Sequence, residues 1–318
     1  MNVMVKRRVH VAAAAIISAD GREVLLARRP SNVDQGGLWE FPGGKLAPYE
    51  TGLEALKREL HEELGVEIRR AQPLIRIHHE YADKHILLDV WQVHDFAGEP
   101  FGREGQAVRW VPMDELVNYP FPAANLPILR AVMLPTEFLI TGEEADEAQF
   151  TQRLVRALDE HGVRLVQLRA KSLGEADYLR RAEHALALCR ERDARLVLNG
   201  EPSLLEVVPA DGIHLTSDRL MSLERRPLPE GKWLSASTHD RRQLDQARRI
   251  GCDFVTLSPL RTTPSHPEVA PIGWHDFQQL VERAGMPVFA LGGMTRFDAH
   301  HARAVGAQGI ASIRDFWK

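Results

Sequence analysis

Between Phe138 and Ala311, short apolar runs alternate with helical stretches eight times, and this alternation limits the possible folds more than any other feature of the chain. The runs are Phe138-Leu139-Ile140, Leu165-Val166-Gln167-Leu168, Arg195-Leu196-Val197-Leu198, Gly212-Ile213-His214-Leu215, Trp233-Leu234-Ser235, Phe254-Val255-Thr256-Leu257, Val288-Phe289-Ala290-Leu291 and Gly309-Ile310-Ala311. Eight strands with helices between them point to a closed (β/α)8 barrel, with an open doubly wound sheet as the competing architecture. At 181 residues such a barrel is compact beside the ~250 usual for the fold.

The preceding third reads differently. Val11-Ala12-Ala13-Ala14-Ala15-Ile16-Ile17 ends at Asp20-Gly21, and Glu23-Val24-Leu25-Leu26-Ala27 follows, which predicts a β-hairpin. Lys6-Arg7-Arg8 before the apolar run imitates a signal peptide, but the run is short and a second extended segment follows at once. A Gly-Gly loop, an amphipathic helix over Thr51 to Leu64, strands around Leu74-Ile77, Ile86-Val93 and Val108-Val111, and a short helix after Pro127 complete this part. Leu134-Pro135 interrupts the pattern. The expected organisation is therefore residues 1–133 as one domain, 134–137 as linker and 138–318 as the barrel, an α/β chain throughout.

Charge and cysteine usage exclude several classes. The chain of 318 residues has 40 basic and 44 acidic side chains; 16 and 18 of these precede position 135, so each half carries a small net negative charge. Neither half is a polycation that holds nucleic acid electrostatically. Cys189 and Cys252 form no CxxC, so neither a disulfide framework nor a thiolate metal site is expected, and a reducing cytoplasm fits. No stretch approaches the ~20 apolar residues that span a bilayer.

The chemistry-bearing segment begins at Gly44. Gly44-Lys45-Leu46-Ala47-Pro48-Tyr49-Glu50 is followed, after seven residues, by Arg58-Glu59-Leu60-His61-Glu62-Glu63-Leu64-Gly65-Val66. Thr51 and Glu54 have capping-box spacing and Gly65 stands where a helix terminates. At ~100° per residue, Leu53, Leu56, Leu60 and Leu64 form one stripe, and Glu59, Glu62 and Glu63 share an adjacent face. Three carboxylates are expected to converge there. Like charges so placed repel unless a cation lies between them, and an all-oxygen donor set favours Mg2+ or Mn2+. Glu-rich helix faces are usually only solvated, but the wider pattern should arise by chance on the order of 10^-7 times in a chain of this length.

These residues resemble the Nudix box, Gx5Ex7REUxEExGU with U aliphatic, and match it at every fixed position. The resemblance implies an α/β/α sandwich with a mixed sheet that cleaves nucleoside diphosphates linked to another moiety. It implies Glu59, Glu62 and Glu63 as metal ligands, Glu59 also as candidate base, Arg58 with Glu50 as the supporting ion pair, and the Gly43 carbonyl as a further ligand.

Ala27-Arg28-Arg29, Leu38-Trp39-Glu40-Phe41-Pro42-Gly43-Gly44-Lys45, Gly102-Arg103-Glu104-Gly105-Gln106 and Phe121-Pro122-Ala123-Ala124-Asn125 are similar to the MutT-type 8-oxo-dGTP diphosphatases. That likeness makes Glu104 a fourth metal carboxylate or the base. Asn125 becomes the base reader, since its amide offers a donor to O6 and an acceptor to the N7-H of 8-oxoguanine. Phe41 and Tyr81 flank the base, and Arg29 and Lys45 line the nucleotide site. Rival readings stand beside these: Asn125 as a helix cap, Phe41 as core, Arg28-Arg29 as a solvated pair, and Glu104 as an ordinary loop carboxylate.

In the second half, polar residues recur at strand C-terminal ends, where a barrel builds its site. Gln167-Leu168-Arg169-Ala170-Lys171, Asn199, Asp211-Gly212-Ile213-His214-Leu215, Ser237-Thr238-His239, Thr263-Pro264-Ser265-His266 and Gly292-Gly293-Met294 resemble thiamin phosphate synthase and its thiazole tautomerase relatives. The resemblance implies that Gln167, Arg169 and Lys171 face a pyrimidine diphosphate, that Asn199 and Ser237 position substrate, and that Thr263, Gly293 and Ser312 bind phosphate. Two departures argue against synthase turnover. Gly200 replaces an Asp that ligates Mg2+, leaving Asp218 as the remaining carboxylate, and His266 replaces a permanent cation with a titratable ring. Lys171 also reads as solvated and His239 as structural.

The expected function is hydrolysis of oxidised purine nucleoside triphosphates, 8-oxo-dGTP to 8-oxo-dGMP and pyrophosphate, in nucleotide-pool sanitising. The partners are a small-molecule nucleotide and a thiamin-related phosphate ligand in the barrel, with no direct nucleic-acid or membrane binding. The alternatives are a bifunctional thiamin-pathway protein whose first half acts on a pathway diphosphate, and a barrel that serves as a ligand-binding regulatory module.

Overall fold

The computed structural model describes residues 7–80, 83–263 and 269–318, and its chain divides into two compact units, Met1–Met133 and Leu134–Lys318.

In the first unit β1 (Arg7–Ile16) and β2 (Glu23–Arg28) flank the turn at Asp20-Gly21, followed by β3 (Trp39–Glu40), β4 (Gly43–Lys45), α1 (Gly52–Leu64), β5 (Glu67–Glu80), β6 (Lys84–Ala97), β7 (Val108–Pro112) and α2 (Leu126–Met133). A mixed sheet runs β4-β1-β6-β5, with β1 parallel to β6 and antiparallel to β4. A separate antiparallel sheet runs β3-β2-β7. The alanine run of β1 explains the layering, because successive side chains on a strand face opposite sides. Ala12, Ala14 and Ile16 pack with Leu56, Leu60 and Leu64 of α1. Ala13 and Ala15 join Ile128, Leu129 and Val132 of α2 on the other face. Small side chains on both faces let a helix approach each side, giving the expected α/β/α sandwich.

The expected hairpin is corrected. Ile17, just past β1, makes a single bridge to Val24, and the two strands belong to different sheets. Each strand already has both edges paired, β1 with β4 and β6 and β2 with β3 and β7, so neither has an edge free for the other. Helix α1 forms where its caps predict: the Thr51 side chain accepts from the Glu54 N–H, Glu54 reaches back to the Thr51 N–H, and Gly65 ends the helix at φ 71°.

The second unit is a closed barrel of eight parallel strands: β8 (Glu137–Ile140), β9 (Leu165–Leu168), β10 (Arg195–Asn199), β11 (Gly212–Leu215), β12 (Trp233–Thr238), β13 (Phe254–Leu257), β14 (Val288–Ala290) and β15 (Gly309–Ser312). The open-sheet alternative is excluded, because β15 pairs with β8. Strand residues alternate between two clusters. Phe138, Ile140, Leu165, Val197, Phe254, Phe289 and Ala311 fill the interior. Leu139, Val166, Leu196, Ile213, Leu234, Val255, Val288 and Ile310 face the surrounding helices. Burial on both faces is why these strands read as nearly continuous apolar runs. Residues 134–137 are not a linker: Leu134 is buried in the interior cluster, and Glu137 opens β8. Among the described residues, no helix is long and apolar enough to cross a membrane.

Candidate functional site

Helix α1 and the β4 loop bring the box residues together. Arg58 is the hub: its Nε and a terminal nitrogen each lie 2.9 Å from one oxygen of Glu50, and its other terminal nitrogen lies 2.8 Å from Glu59 and 3.2 Å from Glu62. It also donates to the Lys45 carbonyl at 3.1 Å, tying α1 to β4. Hydrogen bonds from Arg58 and from the Ala47 N–H hold the Glu50 carboxyl below the usual range, and the same carboxylates raise the Arg58 pKa. The expected ion pair is thus present as a bidentate fork. The Lys45 side chain itself is exposed.

Glu63 faces the loop, where it accepts from the Gly43 N–H at 3.3 Å. Burial pushes its carboxyl up to about 7, and the carboxylates of Glu59, Glu40 and Glu104 add to the shift against the Gly43 bond. Glu59, Glu62 and Glu63 lie on the last turns of α1, and among the described residues no three His, Cys, Asp or Glu side chains close around one point. Their mutual repulsion is relieved by other partners: Glu59 and Glu62 turn to Arg58 and Glu63 to Gly43. The donor set nevertheless fits a hard divalent cation. All its atoms are oxygen, and burial, with the nearby carboxylates of Glu59, Glu40 and Glu104, favours the protonated form of Glu63, a cost that a bound cation would offset.

Glu104 lies on an exposed loop seated on the C-terminal turn of α1. The Phe101 N–H donates to the Leu64 carbonyl, and the Glu63 carbonyl accepts from the Arg103 N–H at 2.9 Å and from the Gln106 amide at 3.1 Å. Arg103 also reaches the His61 carbonyl at 2.8 Å. These bonds satisfy carbonyls that the helix end leaves open, and they hold Glu104 beside Glu63. Sequence reasoning named Glu104 and missed Arg103 and Gln106 as its anchors.

On the nucleotide side, Arg29 is paired with Glu40, and its Nε and other terminal nitrogen donate to the Asp34 carbonyl at 3.2 and 2.9 Å. Glu40 was missed: burial raises its carboxyl pKa, Arg29 opposes this, and its charge acts on Glu63. The Phe41 ring is 3% exposed, within the core, and stacks on Phe121 at 5.9 Å between centroids. Its expected place beside a base is therefore corrected. Its backbone matters instead, because the Phe41 N–H donates to Asn125 Oδ1 at 3.4 Å. Asn125 ends a 3-10 turn directly before α2, and its Oδ1 is engaged by the Phe41 N–H. Tyr81 lies outside the described residues.

At the barrel's C-terminal rim, Arg169 and Lys171 follow β9, and Glu143 follows β8. Glu143 accepts from Arg169 at 3.0 Å, from the Lys171 and Ser172 N–H groups at 3.1 and 3.3 Å, and from Ser172 Oγ at 2.8 Å. Nothing in the sequence singled out Glu143 beyond its place just past a strand. Asp218 is exposed on the first turn after β11. A Cβ at Gly200 would stand 2.4 Å from Leu204 Cδ1, and Glu201 is paired with Arg219 at 2.6 Å. These residues do not fit a Mg2+ site. Thr263 is half-buried beside the segment containing His266, which lies outside the described residues. Gly292 and Gly293 have φ of 103° and 71°, a conformation that favours glycine. Ser312 is corrected: its Oγ donates to the Met294 carbonyl at 2.8 Å and accepts from the Asp315 N–H at 3.3 Å, so it braces the loop after β14.

Inside the barrel, the alternation of β9 to β13 directs Gln167, Asn199, His214, Ser235, Ser237 and Thr256 inward. Gln167 is 3% exposed, and among the described residues neither its Oε1 nor Thr256 Oγ1 has a hydrogen-bond partner. Asn199 is half-buried, and its carbonyl accepts from Tyr178 at 3.3 Å. His214 places Nδ1 2.9 Å from Ser235 Oγ and Nε2 2.9 Å from Ser237 Oγ. Burial pushes the ring pKa down to about 3, so it is neutral and has one donor and one acceptor. Ser235 donates to the Ile213 carbonyl at 3.4 Å and therefore accepts from Nδ1–H, which leaves Nε2 to accept the Ser237 proton.

Comparison with known proteins agrees with this division. Residues 137–316 match the family described as thiamine monophosphate synthase, and residues 12–131 match the NUDIX domain. The CTP pyrophosphohydrolase of Escherichia coli (strain K12) is 44% identical over 120 residues, 38% of this chain and 88% of that one. The 8-oxo-dGTP diphosphatase of the same organism is 36% identical over 117 residues, 37% of this chain and 91% of that one. The putative thiamine-phosphate synthase 2 of Aquifex aeolicus (strain VF5) is 33% identical over 183 residues, 58% of this chain and 98% of that one. The chain thus belongs to the thiamine monophosphate synthase family through its second half and carries a MutT-like Nudix hydrolase domain in its first.

Proposed function

We propose that the Nudix domain hydrolyses 8-oxo-dGTP to 8-oxo-dGMP and pyrophosphate. The observation that carries this reading is the set of carboxylates gathered around the buried Glu63, with Glu59 fixed by Arg58. Glu59, Glu62, Glu63 and Glu104, with the Gly43 carbonyl, would hold Mg2+ or Mn2+. Such an ion neutralises phosphate charge and lowers the pKa of bound water. Arg58 orients Glu59, which is the candidate to take the proton of the attacking water. The bond between a bridging oxygen and the α-phosphorus breaks as water adds to that phosphorus, and pyrophosphate leaves. Asn125, held by the Phe41 N–H, keeps its Nδ2 as a donor for O6 and the second lone pair of Oδ1 for N7-H.

The same amide satisfies cytosine, which presents N3 as acceptor and its exocyclic amine as donor. That match, with the 44% identical CTP pyrophosphohydrolase, favours a cytidine nucleotide as the second reading. Steady-state pyrophosphate release by the full chain with Mg2+ separates the two. The expected result is kcat/KM for 8-oxo-dGTP at least tenfold above dGTP and CTP. Equal turnover of 8-oxo-dGTP and dGTP rejects the sanitising role, and preference for CTP selects the second reading.

For the barrel, the observations favour a phosphate-ester site without synthase turnover, since the rim at Gly200, Glu201 and Asp218 does not fit Mg2+.

A further inference from the structure

Thr141 clamps two rim loops of the barrel: its Oγ1 accepts from the Arg169 N–H at 2.9 Å and donates to the Arg169 carbonyl at 3.1 Å. The clamp sets Glu143 opposite the segment Arg169 to Ser172. The guanidinium, two successive backbone N–H groups and a hydroxyl of that segment converge on its carboxylate. Converging N–H groups with an arginine are what a phosphate oxygen requires. Here a side chain of the same chain occupies them. Partial burial opposes ionisation of Glu143, but the bonds from Ser172 and Lys171 and the charge of Arg169 hold its pKa below the usual carboxylate range, so it stays anionic.

We propose that Glu143 closes this cradle to diphosphates, so that the barrel takes a phosphomonoester, without metal. The inference rests on the reading of the barrel as a phosphate-ester site and adds what that site rejects. A diphosphate reaching Arg169 and Lys171 must displace a carboxylate that already holds four hydrogen bonds, or lie against its charge. It also finds no pair of carboxylates to share a divalent cation, because Gly200 offers none and Glu201 is engaged by Arg219. A monophosphate seated at the Gly292-Gly293 turn needs neither.

Calorimetric titration of the full chain in EDTA with inorganic phosphate, and separately with inorganic pyrophosphate, tests this on wild type, Glu143→Ala and Glu143→Ala/Arg169→Ala. Glu143 lies on an exposed loop, and matched thermal unfolding of the three proteins checks that the fold is kept. Phosphate should bind all three within about twofold. Pyrophosphate should bind Glu143→Ala at least tenfold more tightly than wild type, and the double variant should lose that gain, which locates it in the barrel and not the Nudix domain. Wild type binding pyrophosphate as tightly as Glu143→Ala would overturn the role of Glu143 alone. Failure of every form to bind phosphate would overturn the phosphate-ester reading and the inference with it.

Discussion

A Cβ built on Gly44 would stand 2.2 Å from the carboxylate carbon of Glu59. The β4 loop and α1 therefore meet through a glycine whose missing side chain is the space the carboxylate occupies. Gly44→Ala should leave the fold standing, because the clashing atoms end a flexible side chain, yet it should move Glu59 out of place. A displacement of about 1 Å predicts a loss of roughly 10²-fold in kcat. Kinetics beside a thermal melt would check this, and unchanged kcat would remove Glu59 from the reaction.

Glu63 predicts a pH dependence of the metal-free protein. Its folded pKa of about 7 lies above the 4.5 of an ordinary glutamate, so the folded state keeps a proton that the unfolded chain has released. The contribution to stability is full below pH 4.5 and lost as pH rises through 7. Melting in EDTA should therefore show the Nudix domain less stable at pH 8 than this group alone would leave it at pH 5. Glu63→Gln should flatten that part of the profile, and adding Mg2+ at pH 8 should restore stability to the wild type.

The sign reverses at His214. Its pKa falls from 6.5 to about 3 on folding, so between those values the unfolded chain binds a proton that the barrel does not. Barrel stability should fall as pH drops below 6.5, and His214→Asn should weaken that slope. Nitrogen NMR of histidine-labelled protein should show one neutral ring protonated at Nδ1 down to about pH 4. A ring protonated at Nε2 would reverse the assignment of Ser237 as the proton donor.

Asn125→Ala should lower kcat/KM for 8-oxo-dGTP by roughly 10- to 100-fold while changing dGTP far less, because only oxidised guanine completes the N7-H bond to Oδ1, and guanine's N7 acceptor opposes that oxygen. An equal loss on both nucleotides would make Asn125 a general binding residue.

Where local spacing carries the information, the sequence was legible. The Thr51–Glu54 cap and the Gly65 terminator act within one helix, and the period of the leucines orients its faces without reference to the rest of the chain. The eight barrel strands were legible for a related reason, since burial on both faces writes itself as short apolar runs. Partnership was not legible. The residues flanking Asp20-Gly21 look like a hairpin, yet each strand finds other neighbours, and strand pairing is chosen by segments far along the chain. Phe41 shows the same limit: the motif around it survives, but Phe121 draws the ring into the core.

The amino-acid order by itself determined which residues carry charge at which helical spacing, and thereby the acidic face of α1, the caps that bound it and the two-part layout of the chain. Only the tertiary structure decided how those charges are compensated: Arg58 taking Glu50, Glu59 and Glu62, the Gly43 amide taking Glu63, and Glu143 filling the Arg169 cradle. Helical spacing is a local geometric constant, whereas electrostatic compensation depends on distances between segments that meet only when the chain has folded.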